Sequence, residues 1–336
     1  MSSASQPLVE LRDLAVEFRG RGFVARAVDG VSLEWRRGEI LGIVGESGCG
    51  KSSLARGVLH LVEPAEGEIV LDGESLDDKR ALDAMRRRLQ MIFQDPYQTL
   101  NPRQRVRTIV TEPLRVQGVD SATHEALVER ALTDVGLEPA RFANRYPHQL
   151  SGGQRQRVAI AAALVLEPDG LICDEPVSML DASVQAQIVN VLLEIKKRRE
   201  LALLFITHDL SLAWSLCDRI AVMYLGRVVE QGLAADVIER PQHPYTRALV
   251  DAVPVATPGG GGQREPLSGE LPDAAIPPSG CHFHPRCPRR FEPCDKVDPQ
   301  LLPAGPRDQL AACLLHDPEQ AGAASAPAAP VSDGSG

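Results

Sequence analysis

The sequence predicts an α/β protein: a largely parallel sheet covered by helices, a helical subdomain inserted into it, and a small cysteine-containing C-terminal extension. Three observations carry that prediction. Short apolar runs alternate with helical patterns on either side of residues 95–163; that middle stretch is helical and broken by Pro96, Pro102 and Pro147; and four of the seven cysteines crowd into the last fifth of the 336 residues.

Composition narrows the class. With 43% hydrophobic residues the chain can fill one large core and a smaller appendage. A net charge of -9 without a basic block argues against sequence-independent nucleic-acid binding, which needs Lys and Arg at phosphates. No apolar run approaches the ~20 residues that span a bilayer, and the opening MSSASQPLVELRDL lacks the basic and apolar regions of a signal peptide. A cytoplasmic chain is expected, working at a membrane only through partners.

The elements follow in order. Leu8 to Phe18 alternates apolar and polar residues, as does Val31 to Trp35, so both read as half-buried strands. Ile40 to Val44 is a buried strand running into the glycine loop Gly45-Glu46-Ser47-Gly48-Cys49-Gly50-Lys51-Ser52, with Ser53 following in a helix from about Lys51. Glu68 to Leu71 and Leu89 to Phe93 read as further strands, and Ala122 to Val135 has helical spacing. Beyond the insertion come Gly170 to Asp174, Ala182 to Arg198, Leu201 to Thr207, Leu210 to Leu216 and Ile220 to Leu225, alternating strand and helix. No internal repeat is visible.

The glycine loop has the composition of a phosphate cradle. Gly45, Gly48 and Gly50 let the backbone fold tightly and aim N–H groups at phosphate oxygens, with a helix N-terminus behind. Lys51 would reach the β and γ phosphates and Ser52 would offer its hydroxyl to Mg²⁺. Apolar Leu171-Ile172-Cys173 delivers Asp174 to a metal and Glu175 to an attacking water. Adjacent carboxylates alone are usually a solvated strand end; the upstream loop decides for chemistry. Leu203 to Ile206 similarly brings His208 to the same edge, where a donor reaches the γ-phosphate. Leu150-Ser151-Gly152-Gly153-Gln154 supplies an N-cap and two glycines before a helix, a second anion-facing start.

Together these residues resemble the ATPase subunits of ATP-binding cassette (ABC) transporters over about residues 8 to 252. The resemblance implies a P-loop ATPase core that binds ATP and Mg²⁺. It gives Gln94 the role of the Q-loop, sensing Mg²⁺ and water; Ser151, Gly152, Gly153 and Gln154 that of the signature gripping a partner's ATP; and Asp181, in Ser178-Met179-Leu180-Asp181, that of the D-loop. His208 matches the switch histidine and Phe18, with Phe23 as runner-up, the adenine-stacking aromatic. Mg²⁺ would be held by Ser52, Gln94 and Asp174. Met179 departs from the smaller residues common at its D-loop position. Glu175 and His208 are both present, so nothing marks the site as degenerate.

His243-Pro244-Tyr245-Thr246 and the stretch Gly280 to Pro288 resemble the extension of oligopeptide, dipeptide and nickel importer ATPases. Cys281, Cys287, Cys294 and Cys313, spaced by five, six and eighteen residues, can bind an iron–sulfur cluster or Zn²⁺. Short Cys-x-x-Cys knuckles are missing, and the resemblance favours [4Fe-4S]. The expected division is an ATPase domain at 1–240 with its helical subdomain at about 95–163, the extension at 241–317 and a disordered tail at 318–336, with Gly259 to Gly262 as a linker. The function implied is ATP-driven import of di- or oligopeptides, with nickel or another small solute as the alternative. Partners would be a second cassette, copy or paralogue, two transmembrane permeases and, indirectly, an extracytoplasmic binding protein, placing the chain peripherally at the cytoplasmic face. A soluble cassette ATPase acting on nucleic acid is the distant alternative, but those carry two cassettes or long coiled coils. A nucleotide-dependent scaffold for the cysteine module is opposed by Glu175.

Overall fold

The computed structural model describes residues 6–20, 23–76, 78–253 and 272–320. Strands β1 (Pro7–Gly20) and β2 (Phe23–Arg36) form an antiparallel hairpin, extended on the far side of β1 by β4 (Glu66–Leu71) and β5 (Glu74–Ser75). Val31, Leu33 and Trp35 are buried while Ser32, Glu34 and Arg36 are exposed, the period-two pattern of a sheet with one face on a core.

The main sheet has the order β11-β12-β10-β9-β3-β8-β7-β6. Its centre is parallel: β3 (Ile40–Val44) lies between β8 (Ala202–Thr207) and β9 (Arg219–Tyr224), followed by β7 (Gly170–Asp174) and β6 (Leu89–Ile92). Every residue of β3, β7 and β8 is buried because both faces are covered, which is why these strands read as continuous apolar runs. Register decides what they deliver. Val44 pairs with Thr207, Ile206 with Asp174 and Cys173 with Ile92, so the loops after all four strands leave one edge side by side.

Helix α1 (Lys51–Val58) follows β3, and α2 (Lys79–Arg88) precedes β6. The insertion between β6 and β7 contains α3 (Pro96–Thr99), α4 (Val106–Val116), α5 (His124–Asp134), α6 (Pro139–Phe142) and α7 (Gly152–Leu164). Val106, Ile109, Val110 and Leu114 of α4 pack with Val128, Ala131 and Leu132 of α5 and with Val158, Ile160 and Ala161 of α7 in one cluster. Leu114 is wholly buried, and truncation to Ala would cost about 2–5 kcal/mol. That cluster runs on into one face of the main sheet, so the insertion is packed on the core.

After β7 come α8 (Ala182–Arg199), α9 (Leu210–Leu216), β10 (Arg227–Leu233), α10 (Ala234–Glu239) and α11 (Pro244–Ala252). The extension then joins the sheet: β12 (Leu310–Ala311) pairs with β10, and β11 (Leu302–Pro303) with β12. A fully buried carboxylate fastens it. Glu230 of β10 accepts the backbone N–H groups of Gln242 and His243 at 2.9 and 2.8 Å and an amide N–H of Gln309 at 2.7 Å. Burial pushes its carboxyl pKa up, and these donors offset the cost of desolvation. Gly259 to Gly262 and residues 321–336 lie outside the described residues. Among the described residues no helix is long and apolar enough to cross a membrane.

Candidate active site

The glycine loop turns from β3 into α1 because its backbone occupies space a side chain would fill. Gly50 has φ +105 and a β-carbon there would meet the Ala27 carbonyl oxygen at 2.1 Å; Gly48, at φ +83, faces open space. Gly50 caps α1 without a side chain, so the N–H groups of the first turn keep no side-chain partner and are available to an anion. Lys51 is buried, and its ammonium donates to the carbonyls of Gly45 and Glu46, both at 2.8 Å. A cleft of about 480 Å³ opens over the loop, lined by Ser47, Gly48, Gly50, Lys51, Ser52 and Ser53 on this side.

Across the cleft the edge loops of the sheet converge. Ser52 donates its hydroxyl to Asp174 at 2.9 Å, joining the two oxygens expected at a metal. Burial pushes the Asp174 carboxyl up, opposed by Ser52 and nearby Arg56 and Lys51. Glu175 stands next to it in the left-handed region at φ 46, costly for a residue with a β-carbon. Its two carboxylate oxygens are divided: the Gln94 amide donates to one at 2.8 Å, and Nδ1 of His208 faces the other at 3.1 Å. Gln94, Glu175 and His208 come from positions far apart in the chain and line the same cleft.

Other expected site residues lie elsewhere. Ser151 and Gln154 bond each other reciprocally, the Ser151 hydroxyl accepting the Gln154 backbone N–H at 3.3 Å and the Gln154 side-chain Oε1 accepting the Ser151 backbone N–H at 3.1 Å. Gly152 and Gly153 allow close packing on Leu180 and on Val184 of α8; a β-carbon on Gly153 would come within 2.5 Å of Val184. None of these four residues lines the cleft. Asp181 caps α8, accepting the Val184 N–H at 3.0 Å, and exposed Met179 reaches the cleft rim. Cys49 is buried behind the loop, where desolvation pushes its thiol up.

Phe18 pairs with Ala25 across the hairpin, and Ala25, not Phe18 or Phe23, lines the cleft. Directly paired residues point to the same face, so Phe18 stands one strand beyond Ala25 on that face. The metal expectation for the extension is not supported by the geometry. Cys281 donates its N–H to the Cys294 carbonyl at 2.9 Å, and Cys287, Cys294 and Cys313 all raise the pKa of the Cys281 thiol, so the four are gathered. Yet among the described residues no three His, Cys, Asp or Glu side chains form a group that could hold a metal ion. Burial pushes the thiols of Cys281 to about 12 and Cys287 to about 11, and both side chains pack against the cluster that contains Phe283.

The structure adds a contact that sequence reading missed. Glu46, inside the glycine loop, is held by the extension: Tyr245 accepts its N–H at 2.9 Å, and Arg286 donates to its two carboxylate oxygens at 2.8 and 3.1 Å. No local signal announces a pair 240 positions apart.

A glycine loop on a helix N-terminus, a serine–aspartate pair and a glutamate between glutamine and histidine define the ATP-binding cassette class of ATPase. A family model described as ABC transporter matches residues 28–178, and one described as Oligopeptide/dipeptide transporter, C-terminal region matches residues 229–294. The oligopeptide transport ATP-binding protein AppF of Bacillus subtilis is 43% identical over 330 residues, covering 94% of this chain and all of that protein. The dipeptide transport ATP-binding protein DppF of Escherichia coli is 43% identical, covering 95% and 97%. Among solved structures, cbiO1 of Clostridium perfringens, part of the ABC transporter complex cbiONQ, matches with TM-score 0.63 at 29% identity over 70% of this chain and 92% of that one. A dimeric ATP-binding cassette in a post-hydrolysis state bound to ADP and Pi matches with TM-score 0.60 at 29% identity over 67% and 98%. The chain belongs to the family of ABC transporter ATP-binding subunits that carry the oligopeptide/dipeptide transporter C-terminal region.

Proposed function

We propose that this chain is the ATP-hydrolysing subunit of a peptide importer, coupling closure of a cassette dimer to uptake of di- or oligopeptides through membrane permeases. The observation that carries the ATPase reading is the Glu175 carboxylate held between Gln94 and His208, beside the Ser52–Asp174 pair. Glu175 positions and deprotonates the attacking water, His208 donates toward the γ-phosphate, and Lys51 exchanges its loop carbonyls for phosphate oxygens. The oxygens of Ser52 and Asp174, with Gln94 beside them, suit a hard cation, and Mg²⁺ when bound neutralises phosphate charge.

Ser151 to Gln154 complete the partner's site. They are locally satisfied and absent from this chain's own cleft, which supports a trans role. A separate, mainly apolar groove of about 420 Å³, lined by residues that include Met91, Phe93, Leu100, Ile109, Val116 and Ala162, lies between β6 and the helical insertion. It fits a permease's cytoplasmic coupling helix, and through it the chain would sit peripherally at the cytoplasmic face.

The peptide class rests on the relatives named above for oligopeptide and dipeptide transport; none of the reported relatives is named for nickel or for nucleic acid, so those alternatives are set aside. ATP-dependent uptake by the transporter reconstituted with its permeases and binding protein is the test. Uptake of nickel without peptide would sink the substrate reading, and no uptake of either would sink the import reading. The narrower reading of the four cysteines as a [4Fe-4S] or Zn²⁺ site rests on their spacing and gathering. Metal content and an ultraviolet–visible spectrum of the purified chain decide it, with a metal-free, colourless and stably folded chain as the outcome against it.

A further inference from the structure

Glu46 is a junction. Its carbonyl accepts from the Lys51 ammonium, its N–H donates to Tyr245, and its carboxylate takes both prongs of Arg286. Tyr245 lies in the first turn of α11 and Arg286 sits one residue before Cys287, so two separate pieces of the extension close on one residue of the phosphate loop. The pair is among the more buried ion pairs of the described residues. The Arg286 side chain is only 6% exposed and Glu46 26%, whereas partners elsewhere are commonly exposed by a third to a half. Arg286 also lies over the Tyr224 ring, which forms one aromatic cluster with Tyr245 and Phe283. A planar fork packed on aromatic rings has little freedom, so it holds its carboxylate in one place.

We infer that Arg286 and Tyr245 are positioning residues for nucleotide binding: the extension holds the phosphate loop in its cradle shape through Glu46, and ATP affinity depends on that hold. The inference rests on reading residues 45–52 as the ATP phosphate loop. A clamped Glu46 fixes the peptide planes on which Lys51 rests, so the lysine and the loop N–H groups meet the phosphates pre-arranged. Were the contact merely an anchor for the extension, its loss would lower the melting temperature and leave affinity for ATP unchanged.

The test is equilibrium titration of full-length chains with ATP and Mg²⁺, alongside thermal melts. Arg286→Met and Glu46→Gln are each expected to weaken the ATP Kd about tenfold, and the double variant also about tenfold, because the shared pair is lost only once. Single variants within twofold of the wild type, or effects that multiply toward a hundredfold, overturn the inference. If Arg286→Met does not fold, Tyr245→Phe serves: it keeps the buried ring and removes only the hydroxyl, with an expected loss of about threefold. An unchanged Kd there overturns the inference equally. Lys51→Ala separates the two levels. If it binds ATP normally, the phosphate-loop reading has failed; if it loses ATP while Arg286→Met and Tyr245→Phe keep it, only the inference has failed.

Discussion

The two anion-facing helix starts of this chain are built in opposite ways. At α1 the cap is a glycine with no side chain, Lys51 rests on loop carbonyls, and the surrounding wall gathers residues from four strand ends. At α7 the cap is complete in itself: Ser151 and Gln154 satisfy each other, and the two glycines pack on Leu180 and Val184. One is an open cleft lined by loop and strand-end residues. The other is a surface knob whose polar groups satisfy one another, and that difference is what the proposed division between a cis-binding set and a partner-facing set rests on.

The comparison breaks most sharply at Glu175. Glu175→Gln keeps an amide that can pair with Gln94 but lacks a base, so hydrolysis should fall by about 10²–10⁴-fold while ATP still binds and the closed dimer accumulates. Hydrolysis close to that of the wild type removes Glu175 from its role. Ser151→Arg should lower hydrolysis by the assembled dimer by about 10²-fold, yet leave ATP binding to the isolated chain within twofold. Loss of binding by the isolated chain would show that the two helix starts serve one site after all.

Two smaller effects sharpen the α1 side. Gly50→Ala drives a β-carbon into the Ala27 carbonyl and should cost ~1–3 kcal/mol, read as a lower melting temperature and weaker ATP binding. Gly48→Ala, with the same sign of φ but open space, should cost less; equal costs would mean that crowding by Ala27 is not the constraint. A pH-dependent effect concerns the extension. His243 is buried with its pKa lowered to about 3 by desolvation and by His316, and Nδ1 accepts the Tyr245 N–H at 3.0 Å. The unfolded histidine takes a proton near pH 6.5 while the folded one does not until about 3, so its share of stability is full above 6.5 and is lost as pH falls between those values. His243→Asn retains a cap acceptor and should flatten that slope by up to about 1.4 kcal/mol per pH unit in melts across pH 4–6.5. An unchanged slope would place the acid sensitivity elsewhere.

Much of the fold was legible where the signal is local. Gly170–Asp174 and Leu210–Leu216 have the bounds that hydrophobic patterning indicates, and α8 runs one residue past them, because strand burial and helix capping act within a few residues. Helix α2 was not read: Lys79–Arg88 is mostly charged and buries only Met85, so its apolar stripe is nearly absent. Strand β10 was not read either, and with it went the way the extension joins the sheet, since that depends on Glu230 collecting donors from residues 242, 243 and 309. Phe18 marks the same boundary. Its place at the end of β1 was legible, but the hairpin register that puts Ala25 at the cleft depends on bulges where the β1–β2 pairing shifts.

By itself the sequence determined the chemical parts and the edge they occupy: a glycine loop before Lys51, carboxylates after an apolar strand, a histidine after another, and a capped signature. Those follow from side-chain identity, φ freedom and strand polarity, which are properties of short segments. Only the tertiary structure decided their company. Register brought Gln94 and His208 to opposite oxygens of Glu175, local capping withdrew Ser151 from its own cleft, and packing of the extension laid Arg286 on Glu46. The physical reason is range. Capping and strand patterning are settled within a few residues, whereas these contacts form only when segments distant in the chain are buried against each other.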